Sequence, residues 1–484
     1  MIRLQNIILV MVALLFSACE DKGFGTQDIT VVPSVTSTQD ITIVGAIPRD
    51  QGDIAQRAFL NVAFSSYIDE ASVTTSHISL HDLNTSADLN ISFKVIRNFV
   101  FIQPLESLVV THHYQLHMNG LKDIFDNSLA QAYTLSYICK SDFWQDVVAG
   151  DINMMAKSKA GDLYIWGSNA PLPVDIKEGD SVFLTIEMPL PLPHTQYAKS
   201  YATGESGLAM VSSLSELVVF GNNAYSDLDE RVYRAVGSGK EHNVLLKEDG
   251  TIYSWGSNTY GQLGNFKLFD KGEPDQEFSE SKDWNAISTR ENFTLALKTN
   301  GSLWGWGDNG EGELGSIYPK IFQPILLDTN GTNITIWDDM SAGGNHSVAL
   351  GNDGSIWSWG KNASGELGDG TFEQSRTAKQ EALNANWKAL SAGYDHTVAI
   401  ENNGTLWGWG NNSFGQLGND STINQNVPVQ EDSKSTTWKA VAAGTNCTFG
   451  IKEDGTLWAW GSNVAYRLGL DASIMATEVP VEVK

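Results

Sequence analysis

A motif that ends in an aromatic residue and glycine recurs seven times along the chain, six times as Trp-Gly, and constrains the fold more than any other feature. The copies are YIWG at 164–167, VVFG at 218–221, YSWG at 253–256, WGWG at 304–307, WSWG at 357–360, WGWG at 407–410 and WAWG at 458–461. Seventeen residues before each final glycine stand Gly150, Gly204, Gly239, Arg290, Gly343, Gly393 and Gly444. The spacing within a unit is fixed, while the distance between units varies from 35 to 54 residues. The pattern therefore indicates rigid repeats joined by adjustable loops.

Each unit has the pattern of a β-hairpin, as in HSVALGNDGSIWSW. Two apolar runs of strand length flank Asp353-Gly354, a pair that favours a tight turn of the primed type with two positive φ angles. The tryptophans are predicted to fill the core, because each can bury a large apolar area. The glycine after each tryptophan is expected to turn the backbone or to permit close packing.

Seven hairpin units without helical periodicity predict an all-β fold, a seven-bladed β-propeller over residues 141–484. The fifth and sixth units, WDDMSAGGNHSVALGNDGSIWSWGKNASGELG and WKALSAGYDHTVAIENNGTLWGWGNNSFGQLG, resemble the regulator of chromosome condensation repeat, whose seven blades form a closed ring. The first two units are weaker, and the short spacing after the second predicts that blade two lacks part of its outer strand. The terminal VPVEV at 479–483 is expected to pair into blade one and close the ring.

Residues 41–140 alternate short β-rich runs with polar turns, which indicates a small β-sandwich. The segments 63–73, 101–116 and 120–130 resemble the bacterial Ig-like domain of cell-surface proteins. The matching positions are Phe64, Ser65, Ile68, Asp69, Pro104, Tyr114, Asp123 and Asn127. Asp126 stands where that family usually has glycine. The prediction is therefore an N-terminal Ig-like β-sandwich followed by the propeller.

The N-terminal segment has the organisation of a signal peptide at residues 1–18: Arg3, then ten apolar residues from Ile7 to Phe16, then small residues. The sequence LFSAC at 15–19 resembles the bacterial lipoprotein cleavage box, which implies lipidation of Cys19 and a lipidated tether at 19–40. By the same resemblance, Glu20 in place of aspartate favours the outer membrane, so the prediction is a lipoprotein of the cell envelope. The alternative is an ordinary secretory signal with an unrelated cysteine.

Charge and cysteine content limit the possible partners. With 31 Lys and Arg against 57 Asp and Glu, the formal charge is −26, which repels nucleic acid. Cys139 precedes blade one and Cys447 lies in blade seven, so ring closure would make them neighbours. They could form a disulfide in an oxidising compartment, or remain two buried thiols.

The sequence offers no candidate catalytic residue, metal site or cofactor site, and the prediction is that the protein is not an enzyme. His242, His346 and His396 occupy one repeat position in separate blades, which favours a blade-packing role over metal ligation. The acidic stretch DNGEGELGS at 308–316 is interpreted as a solvated loop. His112 and His113 have no carboxylate or cysteine at ligand spacing. The Asp-Gly and Asn-Gly pairs lack the ligand pattern of a calcium loop.

The main functional hypothesis is a membrane-anchored scaffold that binds an unknown protein through variable loops. These are the inter-blade segments 170–200, 265–283, 316–336, 369–386 and 419–437. A polysaccharide-binding or polysaccharide-processing surface protein is the first alternative, and it would need exposed aromatic residues on a ring face. Guanine-nucleotide exchange, which the resemblance also implies, is disfavoured by the acidic charge and the export signal.

Overall fold

The computed structural model describes most of the chain beyond residue 40. The described ranges are 41–47, 52–54, 60–96, 98–106, 108–109, 111–139, 143–151, 153–159, 161, 163–167, 186–191, 199–204, 207–211, 217–221, 225–227, 232–327, 334–383, 385–470 and 473–483. The predicted signal peptide, the predicted tether and Cys19 lie outside them. Within them the fold is all-β apart from two short 3₁₀ turns, Glu70–Ser72 and Val464–Tyr466, which confirms the predicted fold class.

The N-terminal unit is a sandwich of two sheets. Its strands are β1 Ile43–Ile47, β2 Gly52–Ile54, β3 Leu60–Phe64, β4 Ile78–Asp82, β5 Ala87–Leu89, β6 Ile91–Ile96, β7 Phe99–Pro104, β8 His113–Met118 and β9 Tyr133–Cys139. One sheet has the order β1-β3-β7-β6 and the other β2-β9-β8-β4-β5. All neighbours are antiparallel except β2 and β9. The sandwich itself is therefore present, and its membership of the Ig-like family stays a prediction.

The turn at residues 123–127 of the sandwich is held by one side chain and contains one residue with a positive φ angle. The carboxylate of Asp123 accepts hydrogen bonds from the amides of Phe125 and Asn127, both at 2.9 Å. Asp126 has a φ of 65°, in the left-handed region that glycine enters most easily and aspartate tolerates. The residue that departs from the Ig-like pattern therefore sits at the one position of this turn where glycine would be favoured.

The rest of the described chain forms seven four-stranded antiparallel sheets. Blades one to four contain β10 Trp144–Ala149, β11 Asn153–Ser158, β12 Leu163–Gly167, β13 Ile186–Pro191; β14 Ser200–Thr203, β15 Gly207–Val211, β16 Leu217–Gly221, β17 Tyr225–Asp227; β18 Tyr233–Ser238, β19 His242–Lys247, β20 Ile252–Gly256, β21 Lys271–Gln276; and β22 Trp284–Arg290, β23 Phe293–Lys298, β24 Leu303–Asp308, β25 Lys320–Leu326. Blades five to seven contain β26 Trp337–Ala342, β27 His346–Gly351, β28 Ile356–Gly360, β29 Ser375–Gln380; β30 Trp387–Ala392, β31 His396–Glu401, β32 Leu406–Gly410, β33 Gln425–Gln430; and β34 Trp438–Ala443, β35 Cys447–Lys452, β36 Leu457–Ser462, β37 Ala476–Val483. The described part of the fourth strand of blade two is Tyr225–Asp227, and the prediction that this blade lacks part of its outer strand concerns residues outside the described ranges.

The hairpin at Asp353-Gly354 is present, but its turn is not of the primed type that the sequence favoured. Only Gly354 has a positive φ, of 82°, and its amide donates to the carbonyl of Gly351 at 2.9 Å. The result is a longer loop closed by one left-handed glycine. The Asp353 carboxylate accepts from the amide and the hydroxyl of Ser355 at 3.0 and 2.6 Å. This side-chain bond, and not a second positive φ, explains the aspartate before the glycine.

The glycine after each tryptophan has the predicted role. Gly360 has a φ of 108°, and a Cβ atom there would lie 2.6 Å from the carbonyl oxygen of Asn345. No side chain fits at that distance, so the strand can leave the blade core at this point only through glycine.

The ring closes by blade-to-blade packing, and the expectation that residues 479–483 pair into blade one is wrong. Strand β37 pairs with β36 and forms the outer strand of blade seven. The junction between blades seven and one uses the same bonds as the internal junctions. The Trp144 amide donates to Gly455 at 3.0 Å, as the Trp387 amide does to Gly354 at 2.9 Å. Each blade is therefore one continuous stretch of chain, and no strand is exchanged.

Tryptophan indoles bond to the preceding blade in blades one, four, six and seven. Trp409 Nε1 donates to the carbonyl of Glu366 in the preceding blade at 2.9 Å, and Trp460 Nε1 donates in the same way to Gln416 at 2.9 Å. At the closing junction, Trp166 Nε1 donates to Arg467 at 2.8 Å. The second tryptophan of these repeats therefore satisfies its only polar atom while its rings fill the gap between two blades, whereas the buried Nε1 of Trp359 in blade five has no such partner.

Candidate functional site

One face of the propeller carries two sets of loops from every blade. Because the four strands of a blade are consecutive and antiparallel, the connections from first to second strand and from third to fourth strand leave the same face. We call this the loop face. The Asp-Gly turns and the links to the next blade lie on the opposite face. The segments 265–283, 369–386 and 419–437, which were interpreted as variable, therefore begin on the loop face, pass through an outer strand and end on the other face.

Buried asparagines hold the connections from third to fourth strand in fixed conformations. Asn362 is 0% exposed. Its Oδ1 accepts from the Leu367 amide at 2.9 Å, and its Nδ2 donates to the carbonyls of Thr371 and Glu373 at 3.2 and 3.1 Å. Asn412 binds Leu417 and Ser421 in the same way, at 2.9 and 2.8 Å. The asparagine of the repeated Trp-Gly-x-Asn sequence thus bridges both ends of its loop, a role that the sequence had not revealed.

Each of these loops is also fixed to the next blade. In blade five, the Gly370 amide donates to Asn426 in blade six at 2.8 Å, and Asn426 Nδ2 donates back to the Gly370 carbonyl at 2.8 Å. Arg376 of blade five donates to the carbonyls of Asn309 and Ser316 in blade four at 3.4 and 2.8 Å. The described loops of blades four to six therefore form a connected and preorganised part of the loop face.

Large apolar side chains are exposed at a repeated position of the loop face. In blades three to seven they lie one to three residues before the outer strand begins. They are Leu268 (70% exposed), Phe269 (58%), Ile317 (81%), Tyr318 (66%), Phe372 (51%), Ile423 (69%) and Met475 (67%). We call this set the apolar rim. Because these exposed apolar groups recur on successive loops of one face, the apolar rim is a candidate interaction surface.

An axial cavity of about 290 Å³ lies inside the ring of first strands. Its walls include small hydroxyl side chains such as Ser288, Ser341 and Ser391. Each of these serines accepts a backbone amide from the next blade, as Ser391 does from Ala443 at 3.0 Å. The cavity is therefore polar and well ordered.

Arg290 closes this cavity at the loop face. It occupies the position at which the other six repeats have glycine, and it is 9% exposed. In a ring of seven, blade four lies opposite the junction of blades seven and one. Arg290 Nη2 lies 2.9 Å from Asp151 Oδ1 in blade one, and Nη1 donates to Ala443 of blade seven at 3.2 Å. Thr445 of blade seven donates its hydroxyl to the same carboxylate at 2.6 Å. One side chain thus joins three blades across the axis.

The repeated histidines pack between blades, as the sequence indicated. His346 Nε2 lies 3.0 Å from Thr397 Oγ1 in the next blade, and that hydroxyl donates to the Glu366 carbonyl at 3.0 Å. Because the threonine proton is engaged, Nε2 must be the histidine donor. A Cβ on Gly343 would lie 2.5 Å from Nδ1 of this ring, which explains the glycine three residues before each histidine.

Burial controls the protonation of these histidines. It lowers the pKa of His242, His346 and His396 to about 3, because the charged imidazolium is disfavoured away from water. They are therefore neutral hydrogen-bond donors at physiological pH.

The acidic stretch 308–316 is less solvated than the sequence suggested. Glu313 is 1% exposed, and burial raises its pKa to about 7, helped by the nearby Asp308. In blade five the matching Glu366 has a partner, Lys361, at 3.7 Å. Blades three and six carry the uncharged Gln262 and Gln416 at this position. Blade four is thus the described blade in which this carboxylate has no lysine beside it.

The two cysteines are both free and buried. Cys139 belongs to the sandwich core, whereas Cys447 lies in the core of the closing junction. The disulfide alternative is therefore not formed in this structure, because each side chain faces a different core. Burial raises the pKa of Cys139 to about 12 and that of Cys447 to about 11, so both are unreactive thiols.

His112 has a carboxylate partner that is distant in sequence. Its Nδ1 lies 2.8 Å from Asp82 Oδ2 across two strands of the sandwich. Burial alone would raise the pKa of Asp82, but the hydrogen bonds from His112 and two backbone amides lower it below its usual value. Across the described ranges, no group of three His, Cys, Asp or Glu side chains could hold a metal ion. No helix in those ranges is long and apolar enough to cross a membrane.

The segments interpreted as variable contain a repeated element that sequence reasoning missed. Glu277, Glu381 and Glu431 follow the outer strands of blades three, five and six and are at most 1% exposed. Glu431 accepts from the Trp438 indole at 3.2 Å and from the amides of Ser433 and Ser435 at 2.7 and 2.9 Å. The repeated Gln-Glu pair at the end of these strands was the available signal.

Seven blades built from one sequence repeat, with the described loops gathered on one face, define a seven-bladed β-propeller. The chain belongs to the RCC1-like domain family, whose model matches residues 226–484. The predicted resemblance to the regulator of chromosome condensation repeat is thereby confirmed.

Relatives share this propeller. The chain is similar to the RCC1 domain-containing protein RUG3, mitochondrial, of Arabidopsis thaliana, at 28% identity over 277 residues, which are 55% of this chain and 62% of that protein. It is also 28% identical over 248 residues to the ultraviolet-B receptor UVR8 of the same plant, covering 46% and 54% of the two chains. The chain thus spans less than two thirds of either relative. Prp20p of Saccharomyces cerevisiae has the same fold, with a TM-score of 0.57 at 19% identity over 71% of this chain and 88% of that one.

Proposed function

We propose that this protein is a binding scaffold of the bacterial cell envelope. A lipid on Cys19 anchors it to the outer membrane, the sandwich separates the propeller from the membrane, and the apolar rim binds a protein. The observation that carries the proposal is the repeated exposure of large apolar side chains on ordered loops of one face. The propeller relative Prp20p binds Gsp1p and histones, so a protein partner is in keeping with this fold.

The rigidity of the loops supports a binding role. A flexible loop loses conformational freedom when it binds, and this loss weakens the complex. Here Asn362 and its counterparts bridge the loops, and bonds such as Gly370 to Asn426 fix them to the next blade. The apolar side chains are therefore held in place before a partner arrives.

The binding face can be tested by substitution, because deleting a whole inter-blade segment would also remove an outer strand. The rim variant replaces Leu268, Ile317, Phe372 and Ile423 by serine. A matched control replaces Ile336 and Leu383, which are 43% and 44% exposed on the opposite face. Proximity labelling on intact cells should recover the same neighbours with the wild type and the control. The rim variant should lose at least one of them; if it recovers all of them, the loop face is not the binding surface.

The anchor needs a separate test. Substitution Cys19→Ala should abolish incorporation of labelled fatty acid and release the chain from the membrane fraction. If Cys19→Ala remains in the outer-membrane fraction, the lipid is not the anchor.

A glycan is a second candidate ligand because three rim residues, Phe269, Tyr318 and Phe372, are exposed aromatics. Aromatic faces can stack on sugar rings. A glycan array read with the wild type, and again with the three residues changed to serine, separates the two ligand classes.

A further inference from the structure

We propose that the partner of the apolar rim is a cationic amphipathic protein segment, which presents apolar side chains together with lysine or arginine. This inference rests on the proposed function and names the chemistry of its partner. It follows from the charges that surround the rim and from the arrangement of its apolar residues.

Carboxylates accompany the rim in blades three to six. Asp270, Glu311, Glu373 and Asp420 are all exposed on the same loops that carry the apolar residues. In the described part of the chain, none of the four pairs with a lysine or arginine. Their charges are therefore available to a partner.

The basic residues of these loops are already engaged. Lys267 lies 2.6 Å from Asp275, and Lys361 lies 2.7 Å from Asp395. The guanidinium of Arg376 donates to backbone carbonyls of the neighbouring blade, and the Nζ atom of Lys320 lies 4.5 Å from the ring centre of Tyr260. The loop face thus presents apolar groups and unpaired negative charge, and a net charge of −26 extends the same field over the molecule.

This combination selects one chemistry. An acidic partner would meet like charges, which disfavour association. A purely apolar partner would have to desolvate the carboxylates without compensation. A cationic amphipathic segment satisfies both components, because its apolar residues cover Ile317 or Phe372 while its cations reach the neighbouring Glu311 or Glu373.

The test uses the full chain and two short synthetic peptides of helical spacing, one of lysine and leucine and one of glutamate and leucine. Binding is measured by fluorescence anisotropy at low and high salt. Three variants are compared with the wild type: the rim variant, the opposite-face control, and a rim-neutral variant with Asp270→Asn, Glu311→Gln, Glu373→Gln and Asp420→Asn. Their folding is checked by tryptophan fluorescence and thermal unfolding.

The lysine peptide should bind the wild type and the control equally, and at least tenfold more weakly to the rim variant. The rim-neutral variant should bind it about tenfold more weakly at low salt, with little loss at high salt, where screening has already removed the advantage. Equal binding of the two peptides, or an unchanged lysine-peptide affinity in the rim-neutral variant, would overturn the proposal. If the rim variant still loses neighbours in cells while peptide charge has no effect, the scaffold function stands and only the partner chemistry is wrong.

Discussion

Substitution Arg290→Gly tests whether a single side chain stabilises ring closure. It gives blade four the residue that the other six repeats have at this position, so the backbone should accept it. The change removes the bonds from the guanidinium to Asp151 at 2.9 Å, Ala443 at 3.2 Å and Thr445 at 3.4 Å. It leaves the Asp151 carboxylate bound to the Thr445 hydroxyl.

The magnitude follows from the burial of this pair. Breaking a fully buried ion pair costs about 3–5 kcal/mol, but the side chains of Arg290 and Asp151 are 11% and 17% exposed, and Asp151 keeps one partner. We therefore expect a loss of about 3 kcal/mol. With an unfolding entropy of about 2.1 cal/mol/K per residue over residues 144–483, this loss lowers the melting temperature by about 4 °C.

The location of the effect is more informative than its size. Because Arg290 contacts blades seven and one, hydrogen exchange should accelerate by about a hundredfold in β10 and β34 and change little in blade five. The control is Arg234→Ala, which removes a bond to Asn285 at 2.9 Å between two adjacent blades and should cost about 1 kcal/mol. Substitution Asp151→Asn, alone and combined with Arg290→Gly, completes a double-mutant cycle.

Two results would refute this reasoning. The first is an Arg290→Gly protein as stable as the wild type. The second is accelerated exchange spread evenly over the seven blades, because that pattern would show that the ring junctions do not depend on the bond across the axis.

Three further substitutions test buried groups by urea unfolding. Because His346 has a folded pKa of about 3 and an unfolded value near 6.5, the unfolded chain binds the extra proton below pH 6.5. Between pH 7 and pH 5, the free energy of unfolding of His346→Gln should therefore fall by about 2 kcal/mol less than that of the wild type. Equal losses of unfolding free energy would contradict the burial argument. Glu313 contributes a pH dependence of stability of the opposite sign, because its folded pKa of about 7 exceeds the unfolded value. Glu313→Gln should therefore stabilise the protein by up to about 3 kcal/mol at pH 8 and have no effect near pH 4.5. Glu431→Leu should cost about 2–4 kcal/mol, because it leaves the Trp438 indole and two amides without a partner, and a neutral result would show that water replaces the carboxylate.

The number of blades could be predicted because one turn and one strand exit recur in fixed register. Gly354 and Gly360 have positive φ angles of 82° and 108°, which few other residues tolerate. The mode of ring closure could not be predicted, because the sequence VPV occurs at both 427–429 and 479–481 and does not itself say whether the second copy joins blade seven or blade one. In the structure both segments occupy outer strands, β33 and β37, each in its own blade. The similarity indicated an equivalent position, and not a shared sheet.

The candidate site was only partly predictable, for a related reason. The sequence predicted a candidate binding surface on the inter-blade segments, but in the structure these segments combine three roles. The residues around Phe372 lie on the loop face, β29 completes a sheet, and Glu381 fixes the entry to the next blade. Only contacts between residues distant in sequence separate these roles. The same limit hid Arg290, whose partners lie 139 to 155 residues away.

The repeat and the apolar rim are therefore parts of one arrangement. The asparagines and glycines that recur in blades three to seven fix the loop conformation, so the residues one to three positions before the outer strand lie on the same part of each of these blades. At that place the side chains differ, from Phe269 in blade three to Met475 in blade seven, while their apolar character is retained. A structural role would favour one side chain that fits one cavity, as it does for the buried tryptophans. Exposed positions that retain apolar character but vary in shape are better explained by contact with a partner whose surface differs from one blade to the next.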